Sequence, residues 1–570
     1  MRPKSNYDKY PATRFSGNLT RGWEEILKTL ESRDGTLVVE TYTGVLENEL
    51  IEAFSRIAPK GILLTRDLMK PEEEILRMTQ PYMTDDTLFG FVTALRLEDY
   101  FDGGKLAFFK ENHGASVVLG QGASLLAEEG DTIVYVDMAR WEIQQRMRRG
   151  LVRGLGVDNH DDPVSIQYKR GYFNDWRILD RHKEDLYERV DYWVDTHIPD
   201  DPRMIDRDTF MKGIDLTASG PFRVVPFFDP APWGGQWMKE KCDLDRGRVN
   251  YGWCFDCVPE ENSLYFDIDG VRFEMPSVNL ILLKSREVLG EPVEARFGKN
   301  FPIRFDFLDT VDGGNLSLQV HPTTHFIRQQ FGLNYTQDES YYLLDAEEGA
   351  TVYIGLRNGA DGDEMFKALR EAQANGTPFD VERYVNRIPA MKHDHFLIPG
   401  GTIHCSGAGS LVLEISSTPN IFTFKLYDWQ RLGLDGKPRP INIDRGEKVV
   451  DFGRDTDYME TRLHNRVERV AEGEGWTEER TGLHRNEFIE TRRHRFSVPV
   501  RHFTDGSVNV LNLVEGREAI VESPDGRFSP FIVHYAETFI IPAGVEEYTI
   551  RPYGESDGKE CVTIKASVRI

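Results

Sequence analysis

The chain has 570 residues, which at about 150 residues per domain calls for several domains, and 11% aromatic with 29% charged residues places it among ordered globular proteins. A formal charge of −25 argues against broad electrostatic binding to nucleic acid or an anionic membrane, since both need a cationic face. Five cysteines, an odd and sparse set, do not suit a disulfide framework and point to a reducing compartment. The opening MRPKSNYDKYPATRF carries positive charge with no apolar run behind it, and no stretch reaches the ~20 apolar residues that span a bilayer. The expectation is a cytoplasmic protein with no membrane and no nucleic-acid partner.

Residues 22 to about 200 alternate helical and strand patterns. Trp23 to Leu30 is amphipathic, Gly35 to Glu40 (GTLVVE) is a short apolar run, Glu47 to Ile57 has helical spacing, and Gly61 to Thr65 (GILLT) is apolar again. Ala115 to Leu119 and Asp131 to Asp137 (DTIVYVD) repeat the pattern, each leading into a helix. Short continuous apolar strands separated by helices predict a parallel, doubly wound α/β sheet. The segments VVLGQGASLL, DTIVYVDMARWEIQQRMRRG and DWRILDRHKEDLYERVD resemble the central strand, lid and late helix of P-loop nucleoside or uridine kinases. Such kinases carry GxxxxGK[ST] after their first strand, where backbone N–H groups and the Lys hold phosphates. Here that place reads VVETYTGVLENEL, with Gly44 alone. The resemblance therefore implies a kinase-like domain over residues 1–215 that lacks Walker A and has a structural or regulatory use. Arg146, Arg148 and Arg149 read as a solvated helix face, with an anion-binding lid as the sharper alternative.

The turn-rich stretch from IPDDPRMIDRD to DLTASGPFRV marks a boundary. Beyond it short strands of period two follow one another: FRVVPFF, SLYFDID, VRFEM, LILLKS, LSLQVHP, ATVYIGL, HFLIPGG, SLVLEIS, IFTFKLYD. Their spacing predicts an all-β jelly-roll sandwich or barrel, with helical insertions at Glu364 to Asn375 and Asp380 to Arg387. FLIPGGTIHC from Phe396 and FIIPAGVEEY from Phe539 share a strand, a Pro-small-Gly turn and a strand restart, as two barrels in tandem would. His404 of the first copy falls on Glu547 of the second.

The chemistry centres on Gln319-Val320-His321-Pro322. On an alternating strand Gln319 and His321 project from one face, offering an amide oxygen beside an imidazole. Glu339, opening the next strand, adds a carboxylate, and His404 follows a tight turn. Taken singly, each His is more often a hydrogen-bonded or surface residue, Glu339 a solvated strand end and Gln319 a satisfied core amide. Together two nitrogens and two oxygens suit a divalent ion such as zinc.

These residues also carry a resemblance to class I mannose-6-phosphate isomerases. FPIRFDFLDTVDGGNLSLQVHP (Phe301 to Pro322), QDESYYLL, IPGGTIHC, LVLEISSTPNIFTFKLYDWQRLGLDGKPR (Leu411 to Arg439) and PWGG (Pro232 to Gly235) are similar to that family's motifs, over about residues 225–570. The resemblance implies a metal-binding cupin isomerase domain over 216–445, a cupin-like β domain over 446–570, and one Zn2+ per chain on Gln319, His321, Glu339 and His404. It also implies a sugar phosphate substrate, interconverted between mannose 6-phosphate and fructose 6-phosphate through an enediol. Three positions depart from the family: Asp306 and Gln337 stand where it has Lys, and Lys425 where it has Arg. A fourth, Ile421, stands where it has Asp. Either other cations substitute, with Arg304, His325, Arg328, Lys425 and Arg431 as candidates, or the substrate is not a sugar phosphate. Lys425, Arg431 and His325 are the catalytic candidates, with His325 an acid or base, and Arg304, Gln337 and Lys425 the substrate-binding ones. The alternatives are a metal-binding cupin without isomerase activity, acting as sugar sensor or scaffold, or an isomerase for a different sugar. Cys254 and Cys257 form a lone CxxC with no second ligand pair, which argues against a structural zinc there.

Overall fold

The computed structural model of the protein describes residues 5–112, 114–418, 421–482 and 484–570. Residues 1–4 of the opening segment, and Pro419 and Asn420 of the LVLEISSTPNIFTFKLYD stretch, lie outside them. The amino-terminal part builds a seven-stranded sheet in the order Leu19–Arg21, Arg203–Asp206, Tyr192–Asp195, Thr132–Asp137, Leu37–Thr41, Val117–Gly120, Ile62–Leu64. The last five run parallel to one another, and Arg203–Asp206 pairs antiparallel with both Tyr192–Asp195 and Leu19–Arg21. Leu37 and Val39, with Val117, Leu119, Val134 and Val136, turn one face to helices Trp23–Glu31 and Glu47–Phe54. Val38, Val118, Ile133 and Tyr135 turn the other face into the main core of the molecule. Burial on both faces is why these strands read as unbroken apolar runs.

Of the three arginines read as a solvated helix face, Arg148 and Arg149 are exposed and Arg146 is not. Arg146 is 1% exposed and donates to the carbonyls of Gly44, Thr196 and His197. Its Nη1 therefore meets the carbonyl of the glycine where a P-loop would present N–H groups. Arg148 is bound to Asp229 and Arg149 to Glu142.

Two antiparallel β-sandwiches follow. The first pairs a six-stranded sheet (His395–Ile398, Glu339–Ala346, Ser410–Ser417, Ile303–Asp309, Trp253–Cys257, Phe227–Asp229) with a five-stranded one (Val385–Pro389, Thr351–Leu356, His404–Ser406, Leu318–Val320, Phe424–Tyr427). The second repeats this order, with Thr538–Ile541, Asn509–Glu515, Cys561–Val568 and Ile489–Phe496 in one sheet. The other sheet holds Phe531–His534, Glu518–Glu522, Glu547–Pro552 and Val500–Phe503. The tandem echo in the sequence is thus a repeat of topology. Register shows why only the first copy has a site: Gln319 pairs with His404, whereas Phe503 pairs with Glu547, and Glu339, opposite Ile398, becomes Asn509, opposite Ile541.

The boundary near residue 215 does not separate independent packing units. Thr13–Phe15 pairs in parallel with Ser263–Ile268, and one apolar cluster runs from Val38 through Phe422 to Val568. Cys254 and Cys257 are both free thiols buried in that core.

Two buried imidazoles should cost this fold stability in acid. Burial holds His395 at about 3, and His502, stacked on Tyr548, well below 6.5. Folded-state values below the unfolded one mean that the unfolded chain binds the extra protons. Stability from these residues is complete above about 6.5 and falls by about 1.4 kcal/mol per pH unit per residue as pH drops toward 4. Urea midpoints measured between pH 7 and 4.5 should fall, and His395→Gln should flatten that slope; an unchanged slope would refute the assignment.

Candidate metal centre and its cavity

The sequence folds the four donors together because two strands and two turns converge. Gln319, on Leu318–Val320, lies opposite His404 on one side and Lys425 on the other. Gly401, at φ 95°, donates its N–H to the His321 carbonyl at 2.8 Å. A Cβ at Gly400 would meet the Pro322 carbonyl oxygen at 2.6 Å, so glycine is what lets this turn press His404 against the QVHP strand.

His321, Glu339 and His404 are 1%, 2% and 0% exposed, and their donor atoms lie within 4.8 Å of one another. His321 Nε2 is 2.9 Å from Glu339 Oε2 and His404 Nε2 is 2.7 Å from Glu339 Oε1. The Gln319 amide is 3.3 Å from His404 Nε2; turning that amide by 180° brings its oxygen to the same place. Each imidazole uses its other nitrogen on a carbonyl: His321 Nδ1 on Phe422 O at 3.0 Å, His404 Nδ1 on Thr402 O at 2.9 Å. A carbonyl only accepts, so Nδ1 carries the proton and Nε2 presents its lone pair to the carboxylate. In the neutral imidazoles lone pairs then face lone pairs, which either a proton on each Nε2 or a cation held between the three groups relieves. Burial raises the Glu339 carboxyl, yet the two imidazoles override it and hold it well below the usual range. Burial lowers His321, and Glu339 reverses this to a net rise. The donor set fits a divalent ion held by two nitrogens and two oxygens.

Beside the centre lies a cavity of about 330 Å³ lined by Gln319, Gln337, Arg304, Lys425 and Arg439, among others. Arg304 reaches Asp306 at 2.9 Å and Glu414 at 3.4 Å. Burial pushes Asp306 up to about 6 against the pull of Arg304. Gln337 donates to Glu339 Oε2 at 3.1 Å, so the amide in the family's Lys position orients a candidate ligand. Arg304 Nη1 and Gln337 Oε1 are buried without a partner. Burial, helped by Arg439, lowers the Lys425 ammonium to about 8.

The structure does not bring every predicted residue to the cavity. Arg431 donates to Asn315 O and Asp428, each at 2.7 Å, and braces the loop behind it. His325 and Arg328 are exposed on helix Thr324–Phe331 and are not among the cavity's lining residues. Helical periodicity turns both outward. Arg439, in the GKPR stretch already singled out, was missed and lines the cavity, as do Trp233 of PWGG and Trp253. Trp141, Gln144, Tyr168 and Glu261 also line it and had no local signal.

Residues 22–219 match a family model described as a domain of unknown function, DUF8485. Over 224 residues the chain is 27% identical to a mannose-6-phosphate isomerase of Streptococcus mutans, covering 39% of this chain and 65% of that protein. Over 154 residues it is 25% identical to the mannose-6-phosphate isomerase ManA of Bacillus subtilis, covering 27% of this chain and 45% of that one. The chain thus spans less than two thirds of the length of these two relatives. The crystal structure of the mannose 6-phosphate isomerase from Bacillus subtilis superposes with a TM-score of 0.49 at 19% identity, covering 61% of this chain and 99% of that one.

Proposed function

We propose that the chain is a metal-dependent aldose–ketose isomerase that interconverts mannose 6-phosphate and fructose 6-phosphate, with one zinc ion per chain held by Gln319, His321, Glu339 and His404. The observation that carries this reading is the convergence of two imidazole Nε2 atoms and a buried carboxylate beside a cavity that also presents a lysine. The names of the relatives in Streptococcus mutans and Bacillus subtilis support it.

A bound divalent ion would supply Lewis-acid stabilisation of negative charge on sugar oxygens. The chain's own residues bind and orient. Lys425 has no ion pair or hydrogen bond to its ammonium among the described residues, so its charge is available to a phosphate or to a developing oxyanion. A hydroxyl accepting from Arg304 Nη1 and donating to Gln337 Oε1 would satisfy both unpartnered groups, whose isolation is otherwise costly. From aldose to ketose, one proton leaves C2 and one arrives at C1 while the hydroxyl proton moves between the two oxygens, so the sugar is isomerised through an enediol with no atom gained or lost.

One observation favours a second reading, a different sugar or a sugar-binding cupin without turnover. Arg304 is committed to Asp306 and Glu414, and Arg439 to Asp428. Lys425 is then the one unpaired cation lining the cavity among the described residues. Metal analysis and a coupled isomerase assay decide. Chelation should abolish conversion of mannose 6-phosphate and zinc should restore it; a zinc-loaded chain that converts no sugar phosphate would sink the isomerase. Tight mannose binding without turnover would support the second reading.

A further inference from the structure

The α/β unit reaches the cavity of the candidate metal centre directly. Its helix Arg140–Arg148 lays Trp141 flat on Phe227, with ring centroids 4.1 Å apart at 15°, and Phe227 in turn stacks on Phe255 at 4.5 Å. Arg148 lies over the Trp141 ring and forks onto Asp229 at 2.8 and 2.6 Å. These contacts pin the helix to the strands that extend the six-stranded sheet. Trp141 and Asp229 both line the cavity.

The same unit also grips one carboxylate in the cavity wall. Glu261, 2% exposed, receives Gln144 Nε2 on Oε2 at 2.8 Å and the Tyr168 hydroxyl on Oε1 at 3.0 Å. Its backbone carbonyl accepts from Trp141 N at 3.2 Å. Burial raises the Glu261 carboxyl and Arg140 opposes the rise; a carboxylate offers about four lone-pair sites, so the two neutral donors hold its direction and leave acceptor capacity toward the cavity. That capacity suits a hydroxyl and repels a phosphate, while the Trp141 and Phe227 faces offer apolar area to the C–H face of a sugar.

We propose that the α/β unit completes the substrate cavity, and that Glu261, positioned by Gln144 and Tyr168, is a specificity-determining residue that accepts hydrogen bonds from the hydroxyls of a polyhydroxylated substrate lying against Trp141. The substrate class rests on the isomerase reading; the wall itself does not. The phosphate end then belongs to the Lys425 side and the hydroxyl-bearing chain to the Glu261 side. The α/β unit thereby has a use in substrate binding.

The test uses the full-length, zinc-loaded chain with Gln144→Ala, Tyr168→Phe and the near-isosteric Glu261→Gln. Mannose 6-phosphate and mannose serve as probes, with calorimetry for binding and a coupled assay for turnover. Each variant should raise the dissociation constant and KM for mannose 6-phosphate about tenfold, with kcat changed less than about threefold, as expected for loss of uniform binding. Zinc content and thermal unfolding should match wild type. Variants that bind and turn over like wild type overturn the proposal and leave the isomerase standing. Loss of zinc or of thermal stability together with binding also overturns it, since the clamp would then be a structural brace. A wild-type chain that binds neither probe overturns both this proposal and the isomerase reading.

Discussion

Glu339→Ala should release the metal and lower kcat/KM by on the order of 10³-fold, at the upper end of what loss of one preorganised electrostatic group costs. Glu339 is the hinge of the donor set because it alone touches both imidazoles, at 2.9 and 2.7 Å. Without it two buried Nε2 lone pairs face each other, with ring centroids 5.1 Å apart and no anion to balance a dication. Gln337 would also lose its acceptor at 3.1 Å. Metal content by emission spectroscopy and activity should fall together. Glu339→Gln separates charge from shape: it keeps an oxygen ligand but removes the anion, so metal affinity should fall less than in Glu339→Ala. A variant that retains full zinc and activity would dismantle the assignment of the centre.

Arg223→Ala should cost about 3–5 kcal/mol, the usual penalty for stripping one partner from a buried ion pair. Arg223 is 2% exposed and sits where three distant segments meet. Its Nη1 is 2.8 Å from Glu537 and its Nη2 3.4 Å from Asp256, while its guanidinium lies over the Tyr7 ring. Tyr7 and Thr538 N donate to Asp256, and Asp8 N to Glu537. Burial raises the Glu537 carboxyl, but Arg223 reverses this and lowers it. In wild type the Glu537 contribution is therefore present above its unfolded value near 4.5 and lost as pH falls through the lowered one. In the variant Glu537 keeps His534 Nδ1 at 3.0 Å and the N–H groups of His534 and Asp8 but loses the guanidinium, so burial holds its carboxyl higher than in wild type and its stabilising contribution at neutral pH shrinks. The gap between wild-type and variant urea midpoints should be widest near pH 7 and should narrow toward pH 4.5; a gap independent of pH would refute the account.

The donor set was legible because each donor sits beside a strand or turn that announces itself. Gln319 and His321 share a strand face by simple alternation, and the Pro-Gly-Gly turn ahead of His404 is a local signal. The α/β strands were legible for a related reason: burial on both faces turns each into a short apolar run, as at Leu37–Thr41 and Thr132–Asp137. Local logic failed at His325, where a helix restarts and its periodicity points the ring to solvent. It failed also at Arg146, whose charged neighbours suggested a solvated face although its own contacts are carbonyls 102 and 50 residues away.

By itself, then, the sequence determined the alternation of helices and strands, the tandem β-sandwiches and the four candidate donor positions, because propensity, period and turn chemistry act over a few residues at a time. Tertiary structure alone decided that Gln144 reaches Glu261 across 117 residues and that Arg304 is committed to Glu414 across 110. It alone decided that Lys425 keeps an ammonium without an ion pair or hydrogen bond among the described residues. Which charges are neutralised, and which wall closes the cavity, depends on groups that meet only when the chain collapses around a shared core. No local pattern records such meetings, since each partner satisfies its own helix or strand equally well without the other.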